Sequence, residues 1–266
     1  AALRLEPEAP LVRWKLASAL AELGDDLRAS AQVEALLASK SHEVLGLSWS
    51  ELALRAGTLR LRLGKGEDAA ILLEDARLAA AGDAVLRDAI AHVEIEAHLV
   101  NHHPAAAARV ARAVAREQAS PVDELSWLDR CADLIAEDKT AGIALVDALS
   151  RAWSLDPETP GRYWRLHEAM RTYEGEEAAR SLLRAQALAD ASQSRSDDGA
   201  LTRLRAACKA AGPTDSPLEG AQIHVLMERR VALEPDSADA VVALANAVAN
   251  AGDLERPLPE LHRSLK

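Results

Sequence analysis

Leu5 to Asp25 reads LEPEAPLVRWKLASALAELGD, and the chain returns to it twice. At an offset of 228 residues, Leu233 to Asp253 reads LEPDSADAVVALANAVANAGD, with the same Leu-Glu-Pro opening, the Leu-Ala pair and the closing Gly-Asp. At an offset of 150, Leu155 to Gly175 reads LDPETPGRYWRLHEAMRTYEG. That copy repeats the second proline (Pro10, Pro160), the tryptophan (Trp14, Trp164) and the following leucine (Leu16, Leu166). The two offsets are near four and six times a unit of about 38 residues, and a fixed period of this size marks a repeat array.

The intervening sequence supports the period. Turn signals fall near residues 24, 64, 101, 137, 174, 212 and 252, spaced 36 to 40 apart. Between them the chain is rich in Ala, Leu and Arg, with no Phe and two Tyr, so helix formers dominate and strand formers are scarce. Seven helix-turn-helix units are expected. Each leaves an apolar face that only stacking on its neighbour can bury. A length of 266 residues therefore counts repeats within one array over 1–266.

The unit resembles a tetratricopeptide repeat (TPR). In the first copy Leu16, Ala17 and Leu20 fall on the first-helix positions of that family, Gly24-Asp25 on its turn, and Ala29, Val33 and Leu36 on its second helix. In the last copy Val241, Leu244, Ala245 and Val248 match, with Gly252-Asp253 as the turn. The middle copies are degenerate, the period exceeds the family's own, and the tryptophan sits one place late. The resemblance implies an all-α, right-handed α-α superhelix whose first helices line an inner groove.

Individual elements follow from local signals. Pro10 to Leu23 is predicted helical, with proline in the first turn, where its missing N–H costs nothing. Ser41 is expected to cap a helix running to Leu63, and Glu67 to Ala80 to present Ala69, Leu73 and Ala76 on one face. The histidine-bearing turn Asn101 to Pro104 should end one helix and start the next. Ser192 to Gly199 is predicted to be a loop, and Gly212 to Gly220 a long turn before a helix from Ala221. The last second helix should start near Pro257 or Pro259. The opening AALRLEP reads as the tail of a helix begun earlier, and the closing LHRSLK as the interior of another, so the chain reads as a fragment of a longer protein.

The net charge is −11, with arginines and acids interspersed. A phosphate-binding surface needs a basic stripe, so a nucleic-acid partner is not expected. No apolar run is long enough to insert this stretch into a membrane. Cys131 and Cys208 have no metal spacing and no CxxC, and read as small core residues. Localisation is compatible with the cytoplasm or a bacterial periplasm.

His92, His98, His102 and His103 form the one histidine cluster, and Glu94, His98 and His102 share a helix face. With no His-Glu-x-x-His and no flanking cysteine, they read as solvated side chains rather than zinc ligands. No phosphate loop, nucleophile elbow or supported carboxylate pair appears, so no enzyme, metal or cofactor is expected.

Groove-facing residues follow from the resemblance. In the first unit they are Leu11, Trp14, Lys15, Ser18 and Glu22; in the second Glu51, Leu54, Arg55, Thr58 and Arg62; in the last Asp239, Val242, Asn246 and Asn250. Trp14, Trp127 and Trp164 would be groove anchors if they face inward and wall residues if rotated by one position. Family members that clamp a carboxylate terminus use Lys and Asn at inner positions where this chain has Trp14 and Ser18, so that ligand is not expected. The expected role is a non-catalytic scaffold that recruits a partner protein. Two narrower readings are a periplasmic repeat domain of a bacterial exopolysaccharide export or biofilm machine, recruiting a polymer-modifying enzyme, and a regulatory tail of a larger enzyme.

Overall fold

A computed structural model describes residues 9–39, 42–211 and 217–250. Among these the chain is all-α, with fourteen helices and no strand, arranged as successive helix pairs. Two compact units are present, Ala1–Asp156 and Pro157–Lys266.

The first unit contains α1 (Pro10–Glu22), α2 (Asp26–Ala38), α3 (His42–Leu45), α4 (Trp49–Arg62), α5 (Gly66–Ala79), α6 (Ala84–Val100), α7 (Pro104–Glu117), α8 (Pro121–Ile135) and α9 (Gly142–Leu155). Each long helix packs on the next, and first helix α4 also packs on first helix α6. The second unit contains α10 (Pro160–Tyr173), α11 (Glu176–Ser192), α12 (Asp198–Ala210), α13 (Pro217–Leu233) and α14 (Ala238–Asn250). Among the described residues there are thus six pairs and the first helix of a seventh. The turn expected near 252 and the helix expected near Pro257 or Pro259 lie outside the described residues, as do Ser41 and residues 212–216.

One turn chemistry recurs. At the ends of α1, α4 and α6, a residue at positive φ (Gly24, Gly64, His102) reverses the chain. The next N–H then reaches back five residues: Asp25 to the Leu20 carbonyl, Lys65 to Arg60 and His103 to His98, each at 2.9 Å. This satisfies carbonyls that a helix end otherwise leaves open.

The wall is built from small residues. Ala17, Ala29, Val33, Leu36, Leu52, Ala56 and Leu59 form one buried cluster across α1, α2 and α4. Ala69, Leu73 and Ala76, expected on one face, sit in the next cluster with Ala53, Ile90 and Ala97. Gly57 in α4 lies so close to α5 that a Cβ there would stand 2.7 Å from Leu73 Cδ2.

Four boundaries differ from expectation. The helix expected from Ser41 to Leu63 is broken. Gly46, at φ +67°, ends the four-residue α3. Ser48 then opens α4 with a reciprocal cap, its hydroxyl accepting from Glu51 N–H while Glu51 Oε2 accepts from Ser48 N–H at 2.6 Å. The loop expected over Ser192 to Gly199 is shorter, because Asp197 caps α12 by accepting from Ala200 N–H at 2.9 Å. Helix α13 starts at Pro217, four residues before the expected Ala221, with proline again in a first turn.

Several charged side chains lie inside the helical wall. Arg77, Arg87, Glu94, Asp190 and Arg203 are buried. Arg77 on second helix α5 donates from Nε to Glu94 Oε2 on first helix α6 at 2.8 Å. Arg203 on first helix α12 donates from Nε to Asp190 Oδ2 on second helix α11 at 2.7 Å. In the first unit the second helix carries the cation; in the other it carries the anion. Charge in such a wall persists only where a partner meets it.

Candidate functional site: an acidic cleft between two first helices

The first helices α6 and α8 frame a cleft of about 520 Å³. Asp83 opens α6 by accepting from Leu86 N–H at 3.0 Å, and Ser120 with Pro121 opens α8. Helix periodicity then sets the lining. Asp88 and His92, four apart, come from α6; Asp123, Ser126, Trp127, Asp129, Arg130 and Asp133 come from α8.

Two of the lining rings meet in the cleft. The rings of His92 and Trp127 lie 4.7 Å apart at an interplanar angle of 30°. Trp127 is only 6% exposed, so packing fixes its indole, while His92 is open to solvent. Four carboxylates and one guanidinium also line it. Asp88 is held in place, since Gln118 Nε2 donates to both of its oxygens at 3.0 and 3.2 Å and buried Arg87 lies 3.6 Å from Oδ1. Close to the cleft, and on the same helix stripes, Val85 and Val122 are 83% and 73% exposed.

The groove residues expected in the first pairs have varied surroundings. Leu11, Lys15 and Glu22 are exposed on α1, and Ser18 is half-buried. Trp14 is half-buried against the α1–α2–α4 cluster. On α4, Glu51 is engaged in the helix cap. The Thr58 hydroxyl donates to the Leu54 carbonyl at 2.8 Å, and Arg62 stands 3.6 Å from Asp26. Arg55 is half-buried, as is Leu54, which packs on the second cluster. In the other unit, Asp239, Val242 and Asn246 are exposed on α14, while the Asn250 side chain lies outside what is described. Trp164 meets Tyr163 edge-on at 5.0 Å.

The histidine cluster disperses. Glu94 is taken up by Arg77, His102 occupies a turn, and His103 precedes α7. Burial lowers the pKa of His98, helped by the nearby His103 and Arg109. Among the described residues no group of three His, Cys, Asp or Glu side chains is placed to hold a metal ion. Both cysteines are buried thiols, and burial pushes Cys208 up to about 11.

The cleft carried a sequence signal that was not combined. Asp88-x3-His92 and Asp123-x3-Trp127 place an acid and a ring four apart in successive first helices, at one offset of 35.

No protein-family model matches the chain, and no curated protein matches it. It is similar to solved helical structures. Human IFIT1, as a dimer with PPP-AAAA, shares 16% identity at a TM-score of 0.32, over 99% of this chain and 56% of that one. The chain thus spans a little over half the length of IFIT1. BtubC from P. vanneervenii shares 16% at 0.27, over 100% of this chain and 90% of that one. Yeast Tom70 shares 12% at 0.23, over 99% and 86%. Identity is low in all three, and no residue role passes from them to this chain.

Proposed function

We propose that this chain is a non-catalytic scaffold that holds a protein partner on the inner face of its first helices, with the α6–α8 cleft as the anchor. The observation that carries this reading is the cleft itself: a packed indole with an exposed imidazole against it, charged side chains in the lining, and Val85 and Val122 exposed beside it. Fixed aromatic surface with apolar and charged neighbours is what protein partners use. The excess of carboxylates disfavours a nucleic-acid backbone there. The residues of the first unit expected from the resemblance, Leu11, Lys15, Ser18, Glu22, Arg55 and Arg62, would extend contact away from this anchor. The export-machine and enzyme-tail readings add no residue to this site.

A photo-crosslinking amino acid at Ser126 in the cleft, compared with one at the exposed Ile143 on α9, tests the reading in cells of the source organism. A protein crosslinked from Ser126 and not from Ile143 is the expected result. Crosslinking only from Ile143, or turnover of a substrate by the isolated chain, overturns it.

A further inference from the structure

We infer that a second copy of this chain docks on the outer face of second helices α5 and α7, with α5 of each copy against α7 of the other. This goes beyond the cleft, which lies between the first helices α6 and α8. Helices α5 and α7 stand in register. Glu67, Ile71, Glu74 and Leu78 form one stripe of α5, and Ala105, Arg109, Arg112 and Arg116 form the same stripe of α7 at one offset of 38 residues. The buried positions keep that offset, since Ala69, Leu73 and Ala76 correspond to Ala107, Ala111 and Val114. Equivalent places in successive pairs therefore carry opposite chemistry.

The first ground is charge. Asp68 and Asp75 flank the α5 stripe, which thus presents exposed carboxylates along its length. The α7 stripe presents guanidiniums. Arg112 is engaged, 2.6 Å from Asp147 on α9. Among the described residues, Glu67, Asp68, Glu74, Asp75, Arg109 and Arg116 make no ion pair and no side-chain hydrogen bond. Like charges three and four apart on a helix repel, and an opposing stripe of the other sign relieves both helices.

The second ground is apolar surface. Ile71 and Leu78 are 66% and 61% exposed, one on either side of Glu74 along the stripe. Their register partners on α7 are Arg109 and Arg116. An arginine covers an aliphatic side chain with its methylene stem while its head reaches a neighbouring carboxylate.

The third ground is placement. Helix α6 packs on both α5 and α7, and the charges of Glu74 and Arg109 both act on its His98. The acidic and basic stripes therefore lie side by side. A two-fold axis running along the helices, between α5 and α7, lays each stripe on its opposite and forms both pairings at once. That is the self-complementarity an isologous dimer requires. An unrelated basic partner would match α5 and leave α7 unmet. Helix α9, with Ile143 at the same stripe position, lies outside the pairing.

The test is sedimentation velocity on the 266-residue chain. The chain should be dimeric at about 100 μM in low salt. Sodium chloride at about 0.5 M should weaken the dimer by roughly tenfold. Two charge-reversed chains, Arg109→Glu/Arg116→Glu and Glu74→Arg/Asp75→Arg, should each lose self-association by about a hundredfold with helicity unchanged. Mixed in equal amounts they should dimerise again, because every pairing in the mixed dimer sets acid against base. Ile71→Ser/Leu78→Ser keeps every charge and should weaken the dimer by about tenfold.

A wild-type chain that stays monomeric overturns the inference and leaves the face to a partner of other sequence. A dimer indifferent to both reversals places the interface elsewhere and overturns it too. So does a mixture of the two reversed chains that remains monomeric, since only the crossed α5–α7 pairing predicts rescue.

Discussion

Arg77 and Glu94 face each other across two helices with side chains 8% and 2% exposed, joined by a 2.8 Å hydrogen bond. The pair ties the second helix of one repeat to the first helix of the next, within a cluster otherwise made of alanine, leucine and isoleucine. Desolvation of two charges costs several kcal/mol, so the pair's value depends on both members being present.

Replacing Arg77 by Met should destabilise the first unit by about 3–5 kcal/mol, because Glu94 is left buried and alone. The double variant Arg77→Met/Glu94→Leu should recover most of that loss. Urea denaturation of the three chains measures it, and a double variant no better than the single would refute the pairing. Burial raises the Glu94 carboxyl above its ordinary 4.5, and the hydrogen bond and charge of Arg77 offset this only in part. The folded state then holds that proton more tightly than the unfolded chain. Its contribution is full below pH 4.5 and is lost as pH rises through the raised value. Glu94→Gln should flatten this part of the stability profile.

The turns make a paired prediction. Gly64 adopts φ +73° and His102 adopts φ +58° at equivalent places. Left-handed backbone costs a residue with a Cβ about 1–2 kcal/mol. Gly64→Ala should lower stability by about 1 kcal/mol, and His102→Gly should raise it by about 0.5–1 kcal/mol after the larger unfolded-state entropy of glycine is counted. Thermal unfolding of both variants reads the opposite signs.

At Gly57 the limit is space rather than backbone angle. An added methyl would stand 2.7 Å from Leu73, a fully buried side chain. Gly57→Ala should cost about 1–3 kcal/mol by forcing α4 and α5 apart. Gly57→Ala/Leu73→Ala should lose the clash term, so the two changes should be less than additive in chemical denaturation.

Thiol reactivity should report folding. Cys208 is pushed up to about 11 from 9.0 by burial, which means about a hundredfold less thiolate at pH 8. Cys131 is shifted the same way. A disulfide-exchange reagent should label both rapidly in urea and slowly in buffer. Fast labelling of the native chain would place these thiols at the surface.

The period was legible because it is written in positions that packing tolerates poorly. Ala69, Leu73 and Ala76 could be read as one face, and Gly24 and Gly64 as turns, from local sequence alone. The break at Gly46 was masked because the residues after it, Leu47 to Leu63, are themselves good helix, and the Ser48–Glu51 cap begins a helix as well as Ser41 would. Buried charge was illegible for a different reason. Arg77 and Glu94 stand 17 residues apart on separate helices, and each looks like an ordinary solvated residue within its own helix. The cleft failed to show for the same reason, because His92 and Trp127 meet only after two first helices are brought side by side.

The opposite polarity of the two buried pairs bears on how such an array can be rearranged. Arg77 and Asp190 each stand three residues before the cap of their second helix, Ala80 and Gln193. An exchange of α5 with α11 would set Asp190 against Glu94 and Arg77 against Arg203, burying like charges in both units. Uniform alanine walls would let helix pairs recombine freely, whereas these ionic keys give each pair an address. Duplication, shuffling or consensus averaging of the repeats must therefore carry both members of a key together, or the new junction will not close.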